Sequence, residues 1–221
     1  MKFRIKRFDG ERFYWEDFEV PVRKGMTVLE ALYYIKENID GSLAFRASCR
    51  MGICGSCAMV INGKPRLACE TQVSSLGNVV KVEPLRNFNV IKDLVTDFAG
   101  FFNRIKTVKP YLIRESNEEI RQTPEQLKKY YIYTLCTKCG SCISACPVAK
   151  RTLGPAPIVI AYRFNEDSRD EGKEERLKIL SDYIWHCHFV SECSEVCPKN
   201  LNPAEVIQKL RLEVLKHSMR W

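Results

Sequence analysis

Residues 49–57 read Cys49-Arg-Met-Gly-Ile-Cys-Gly-Ser-Cys57, and Cys69 follows after eleven further residues. Three thiols four and two residues apart, with a fourth arriving later, make the spacing of a plant-type [2Fe–2S] loop. The chemistry explains the glycines. Three thiolates must converge from one tight loop, so Gly52 and Gly55 supply backbone freedom and uncrowded amides that point at sulfur. Asn62-Gly63 is a two-residue hairpin signal between Ala58–Ile61 and Lys64–Ala68, and it brings Cys69 back toward the loop. Zinc also accepts four cysteines but favours two close pairs, which this spacing does not offer. Arg46 and Arg50 beside the loop either tune its potential and dock a partner or stand as solvated surface arginines.

Outward from the loop, residues 2–8 alternate Phe3, Ile5 and Arg7 against Lys2, Arg4 and Lys6, as an edge-type strand would. Asp9-Gly10 turns the chain into Arg12–Val20, its expected hairpin partner. Thr27 and Glu30 form a capping box at the start of a helix whose apolar stripe is Val28, Leu29, Leu32 and Ile35. Val79–Val82 supplies a last short strand. The resulting fold class is α+β: a small mixed sheet gripping one helix, a ferredoxin-type β-grasp domain over residues 1–98.

Beyond it the strand signal fades. Helical periodicity runs through Val90–Lys106, the expected joint, and helices are expected at 124–134, 157–165, 173–186 and 203–217. Asn202 as N-cap and Pro203 at the first helical position open the last one. This α-helical domain, residues 99–221, carries two cysteine runs that suggest an internal duplication. The first is Cys136-x2-Cys139-x2-Cys142-x3-Cys146-Pro147, the bacterial ferredoxin run whose fourth cysteine serves the other cluster of a pair. The second is Cys187-x5-Cys193-x3-Cys197-Pro198. Overlaid, Cys187, Cys193 and Cys197 take the first, third and fourth places, and Val190 takes the second. Crossing over the fourth cysteines gives a [4Fe–4S] site of Cys136, Cys139, Cys142 and Cys197. It leaves Cys146, Cys187 and Cys193 for the other site. Three thiolates and a valine suit [3Fe–4S], because nothing holds an iron at the missing corner.

The bulk numbers exclude other classes. The chain has 221 residues, room for two domains. Eleven cysteines, an odd number, argue against a disulfide framework and divide as four, four and three. A hydrophobic fraction of 45% and a charged fraction of 28% are those of a soluble globular protein. No run approaches the roughly 18 consecutive apolar residues of a spanning helix, and the N-terminal stretch Met1–Arg7 has no signal-peptide core. The expectation is a cytoplasmic chain that meets any membrane through a partner. Its net charge of +8 raises the question of nucleic acid. The basic residues are spread along the chain, and cluster-bound thiolates offset much of the excess, so no nucleic-acid partner is expected.

Taken together, the three cysteine sets resemble, in order and spacing, the iron–sulfur subunit of the succinate dehydrogenase/fumarate reductase family over nearly the whole chain. So do Leu67-Ala-Cys69, Gly154-Pro-Ala156, Tyr162-Arg-Phe-Asn-Glu-Asp-Ser-Arg-Asp170 and Cys197-Pro-Lys-Asn-Leu-Asn-Pro203. The resemblance implies a relay through [2Fe–2S], [4Fe–4S] and [3Fe–4S] between an FAD-containing flavoprotein, which interconverts succinate and fumarate, and a quinone at a membrane-anchor subunit. It implies a peripheral position on the cytoplasmic face of the cell membrane. His188 and Lys199 match polar family positions near the last cluster, and with Pro147 they outline a quinone pocket. The bland reading of the pair is a histidine packed on the cluster and a surface lysine. Val148-Ala-Lys150, with no aromatic after Pro147, departs from the ubiquinone-type dehydrogenases, and Asn165–Asp170 and Ser194-Glu-Val-Cys-Pro198 resemble the fumarate reductase, menaquinone-using side. The competing readings are a relay to a thiol system and a free-standing soluble carrier. His186 and His217 read as structural or exposed, and Trp15, Tyr33 and Tyr34 as packing. Lys209, Arg211, Lys216 and Arg220 read as a solvated face of the last helix.

Overall fold

The computed structural model describes residues 1–116 and 118–219. Its chain divides into two compact units, Met1–Phe98 with Thr137–Ala145, and Ala99–Cys136 with Cys146–Trp221. The segment bearing Cys139 and Cys142 therefore packs with the first unit.

In that first unit β1 (Lys2–Phe8) and β2 (Phe13–Glu19) form the N-terminal hairpin, and α1 (Val28–Asn38) follows. The strands β3 (Ala58–Ile61), β4 (Lys64–Leu67) and β5 (Val79–Glu83) complete a five-stranded sheet ordered β2-β1-β5-β3-β4. Lys2–Phe8 is thus not an edge. It pairs antiparallel with β2 and parallel with β5, Phe3 opposite Val80 and Ile5 opposite Val82. Phe3, Ile5 and Arg7 all point inward and are buried. The helix begins where its capping box lies: the Glu30 amide donates to Thr27 Oγ1 at 3.2 Å and the Thr27 amide to Glu30 Oε2 at 2.8 Å. Val28, Leu29, Ala31, Leu32 and Ile35 are buried along one stripe.

Instead of a helix from Val90, the chain makes a small hairpin, β6 (Val90–Lys92) and β7 (Val95–Thr96), and only then α2 (Ala99–Thr107). The reason is Asp93. It sits at φ 46 with a side chain 1% exposed. Its carboxylate accepts from Arg7 at 3.1 and 3.2 Å, from the Ala44 amide at 2.8 Å and from the Phe8 amide at 3.3 Å. Arg7 also donates to Glu16 at 2.7 Å, to Ser42 at 2.9 Å and to Asp40. Burial alone would lower the Arg7 pKa, but its carboxylate partners outweigh this and raise it. This buried charge network fixes the turn, and periodicity yields to it.

The second unit is helical: α2, then α3 (Pro124–Thr134), α5 (Pro155–Asn165), α6 (Lys173–Ser181), α7 (Glu192–Glu195) and α8 (Pro203–Ser218), with α4 (Ser141–Ala145) belonging to the first unit. Pro155 through Tyr162 are buried all round, which marks α5 as the central helix. The helix expected over 173–186 stops at Ser181 and gives way to a 3-10 turn at Ile184–His186. There Arg211 takes up the carbonyl oxygens that a continuing helix would have used: Ile184 at 3.2 Å and Trp185 at 3.5 Å. Arg176, fully buried, meets Asp170 at 2.6 and 2.9 Å and the carbonyl oxygens of Val108, Lys109 and Tyr111. Its donors are satisfied, as a buried charge requires.

Removing one partner of a buried charge network strands the others, at a cost of about 3–5 kcal/mol. Arg7→Met is expected to lower unfolding stability in urea by that amount. A loss under about 1 kcal/mol, the range of an exposed pair, would show the network to be dispensable.

Candidate functional site

The first cysteine set lies wholly within the first unit. Its loop alternates into left-handed conformations at Arg50 (φ 57), Gly52 (φ 70) and Gly55 (φ 74), which turns successive amides toward sulfur. Cys49 Sγ accepts from the amides of Cys54 at 3.2 Å, Ile53 at 3.4 Å and Met51 at 3.5 Å. The Cys49 amide in turn meets Cys54 Sγ at 3.4 Å. Ser56 hydrogen-bonds Cys54 and, with nearby amides, draws its thiol down to about 6, so the thiolate is favoured. Burial, then the neighbouring Cys69 sulfur, pushes Cys57 up to about 12. The sulfurs thus come as two neighbouring pairs, Cys49 with Cys54 and Cys57 with Cys69. Cys69 is fixed by α1: the Leu29 amide donates to the Ala68 carbonyl at 3.0 Å and the Val28 amide to that of Thr71 at 2.9 Å. Arg50 lies over Tyr33 at 4.6 Å and Arg46 over Phe98 at 5.7 Å.

The two later runs repeat the same local backbone. In the first, Lys138 (φ 53) and Gly140 (φ 82) are left-handed and flank Cys139, with Cys142 in α4 and Cys146-Pro147 after it. In the second, Phe189 (φ 56) and Ser191 (φ 63) are left-handed and flank Val190, with Cys193 in α7 and Cys197-Pro198 after it. Val190 therefore takes, in conformation as well as in spacing, the place that Cys139 holds.

Cys146, Cys187 and Cys193 line one small cavity in the second unit, together with Pro147, Val148, His188, Phe189, Val190 and Ala204. Burial, then the charges of Cys146 and Cys187, pushes Cys193 up to about 11. Cys146 is also raised by burial, and the charge of Arg104 works against that rise. The Phe189 amide donates to Cys187 Sγ at 3.4 Å. His188 and Pro147 are exposed at this cavity, whereas Lys199, half-buried, is not among its lining residues. Of the remaining cysteines, Cys139 and Cys142 fall in the first unit and Cys136 and Cys197 in the second. Among the described residues, no group of three or more Cys, His, Asp or Glu side chains is arranged to hold a single metal ion. Three thiols lining one cavity, and amides aimed at the sulfurs of Cys49 and Cys54, are a donor set and a backbone that suit thiolate-held iron–sulfur clusters.

Arg211 is not the solvated residue expected from its helix. Besides Ile184 and Trp185 it reaches the Cys187 carbonyl, and it lies over the Trp185 ring at 5.6 Å. Four places after buried Ile207 and one after buried Leu210, it borders the inward stripe of α8, and that phase was the available signal. Arg104, on α2, donates to the Ala149 carbonyl at 2.6 Å and braces the segment after Cys146. No pattern in the sequence marks it. Lys209 pairs with Glu205 at 2.7 Å, Lys216 is exposed, and Arg220 lies outside the described residues.

A β-grasp unit with a four-thiol loop, followed by helices bearing a paired cysteine run, defines an electron-carrying iron–sulfur protein of two ferredoxin-type modules. Two family models match: a 2Fe-2S iron-sulfur cluster binding domain over residues 2–103 and a 4Fe-4S dicluster domain over 132–201. The chain is 44% identical over 217 residues to a fumarate reductase iron-sulfur subunit of Mycobacterium tuberculosis, covering 93% of this chain and 88% of the relative. It is 39% identical to a succinate dehydrogenase iron-sulfur subunit of Coxiella burnetii, covering 99% and 98%. A solved structure, the Mycobacterium smegmatis Sdh1 complex in the apo form, superposes with a TM-score of 0.89 at 25% identity over 97% of this chain and 95% of that one. The chain belongs to the family of iron–sulfur subunits of fumarate reductases and succinate dehydrogenases, and it relays electrons within such a complex.

Proposed function

We propose that this chain carries electrons between an FAD-containing flavoprotein and a membrane quinone, through [2Fe–2S] on Cys49, Cys54, Cys57 and Cys69, [4Fe–4S] on Cys136, Cys139, Cys142 and Cys197, and [3Fe–4S] on Cys146, Cys187 and Cys193. The observation that carries the reading is Val190, which repeats the backbone of Cys139 without its thiol. The clusters supply one-electron carriers. The residues of this chain hold them, shield them and set what lies beside them.

At the third site the exposed ring of His188 and the adjacent Pro147 border the cavity of the three thiols. Lys199 follows directly on Cys197-Pro198. A donor here holds a quinone oxygen and favours its reduced, more basic form. The exposed side chains of Phe189 and Val190, which line this cavity, give it an apolar rim suited to a membrane-anchor subunit. No helix among the described residues is long and apolar enough to cross a membrane. On the family resemblance, an anchor subunit would hold the chain at the cytoplasmic face of the membrane. The lack of an aromatic after Pro147 and the wording of Asn165–Asp170 and Ser194–Pro198 favour menaquinone and the fumarate reductase side.

Lys199→Ala is expected to slow quinone-coupled turnover roughly tenfold or more, since a hydrogen bond to a charged group is worth about 1.5–3 kcal/mol. Transfer to a small artificial acceptor should stay near the parent rate. Equal losses in both assays would assign the lysine to the fold. The three-iron assignment is tested by Val190→Cys. Air-oxidised parent protein should show one paramagnetic signal, from the three-iron cluster. The variant supplies the missing thiolate and should lose that signal under iron-replete anaerobic conditions. A parent without the signal, or a variant that keeps it, would contradict the assignment.

A further inference from the structure

Gly55 lies between Cys54 and Cys57, in the left-handed conformation at φ +74. A Cβ built on it would stand 2.8 Å from Cys139 Cβ, 2.9 Å from the Thr137 carbonyl oxygen and 3.0 Å from Cys139 Cα. The bare glycine therefore rests on the backbone of the second cysteine run. Both segments belong to the first unit. On its other side the run is just as closely held. A Cβ on Gly140 would come within 2.9 Å of the Phe88 ring and 3.2 Å of the Phe98 ring, which stack at 4.7 Å. Cys57, 3% exposed, and Cys139, 9% exposed, are members of one hydrophobic core. The contact is dry.

Gly52, three residues earlier in the same loop, is the natural comparison. Its φ is +70, and its added Cβ would meet the Glu70 side chain, with Oε1 at 1.9 Å. That neighbour is the far end of a flexible side chain and can swing aside. Thr137 and Cys139 are backbone and Cβ and cannot. Two glycines thus share one conformational demand, and only Gly55 adds a demand for close approach.

We propose that Gly55 is a positioning residue for electron transfer, its missing side chain letting the loop of Cys54 and Cys57 touch Cys139. This rests on the reading above that Cys139 is a ligand of the second cluster. One electron would pass between the group held by Cys54 and Cys57 and the group held by Cys139, in whichever direction the complex runs. No proton moves and no bond is made or broken. A Cβ at 55 would stand closer to Cys139 than real Cβ atoms come, so the two segments must shift apart to admit it.

The test uses the intact purified complex with Gly55→Ala and, as a strain control outside the cysteine loop, Gly77→Ala, whose φ is +76 and whose added Cβ would meet nothing within 4 Å. Its readout is the microwave power that saturates the reduced N-terminal cluster's signal, which reports how near a second reduced paramagnetic centre lies. Gly55→Ala should saturate at lower power than the parent, and Gly77→Ala, with the same backbone strain, should saturate as the parent does. Parental saturation in Gly55→Ala, or equal shifts in both variants, would overturn the proposal. If Gly55→Ala fails to assemble, the parent complex decides through a redox titration. Its saturation power should rise as the second cluster is reduced, and a constant value overturns the proposal. Cys139→Ser separates the two readings. An unchanged second-cluster signal overturns the ligand assignment and this proposal with it. A changed signal alongside parental saturation in Gly55→Ala overturns this proposal alone.

Discussion

The convergence of cysteine sulfurs is the constraint on which the rest of the structure depends. Thiolates repel one another, and burial resists their charge, as the raised Cys57, Cys146 and Cys193 show. The chain offsets this with backbone amides, three of them on Cys49 Sγ. Aiming consecutive amides at one sulfur needs left-handed residues, and the three cysteine segments each contain them. Because a metal group takes the deprotonated sulfur, binding it contributes directly to folding. The sheet, the capped helix α1 and the all-buried helix α5 serve as frames for loops that would not hold these conformations alone.

Much of that frame is legible in the sequence, where a local signal and the tertiary demand agree. Thr27 with Glu30, Asn62-Gly63 and Asn202-Pro203 each announce a boundary through their own backbone chemistry, and the structure places elements there. The cysteine spacing identifies the family for the same reason: it is a local consequence of loop geometry. The readings that fail concern residues whose partners lie far along the chain. Val90–Lys106 carries helical periodicity, yet Asp93 bonds to Arg7, 86 residues away, and a hairpin forms instead. Lys2–Phe8 looks like an edge because its parallel partner β5 lies more than seventy residues downstream. Arg211 looks solvated because the carbonyls it holds belong to another segment.

The proposed ligand sets are likewise partly local. Cys49 to Cys69 closes within one hairpin and loop. The grouping of Cys146 with Cys187 and Cys193 depends on a crossover that spacing only suggests, and the shared cavity supports it. The repeated left-handed pairs around Cys139 and Val190 give the duplication a physical form. One backbone design serves twice, and one changed side chain distinguishes the two sites. A relay needs carriers of differing potential, and cluster type is among the levers that set it.

The most direct test of the account is the metal content of the anaerobically purified complex. Two-, four- and three-iron sites together require about nine non-haem irons per chain, with acid-labile sulfide and essentially no zinc. A stoichiometry near ten non-haem irons would place a fourth iron at Val190's corner and contradict the three-thiol site, and a zinc-dominated result would contradict the account as a whole.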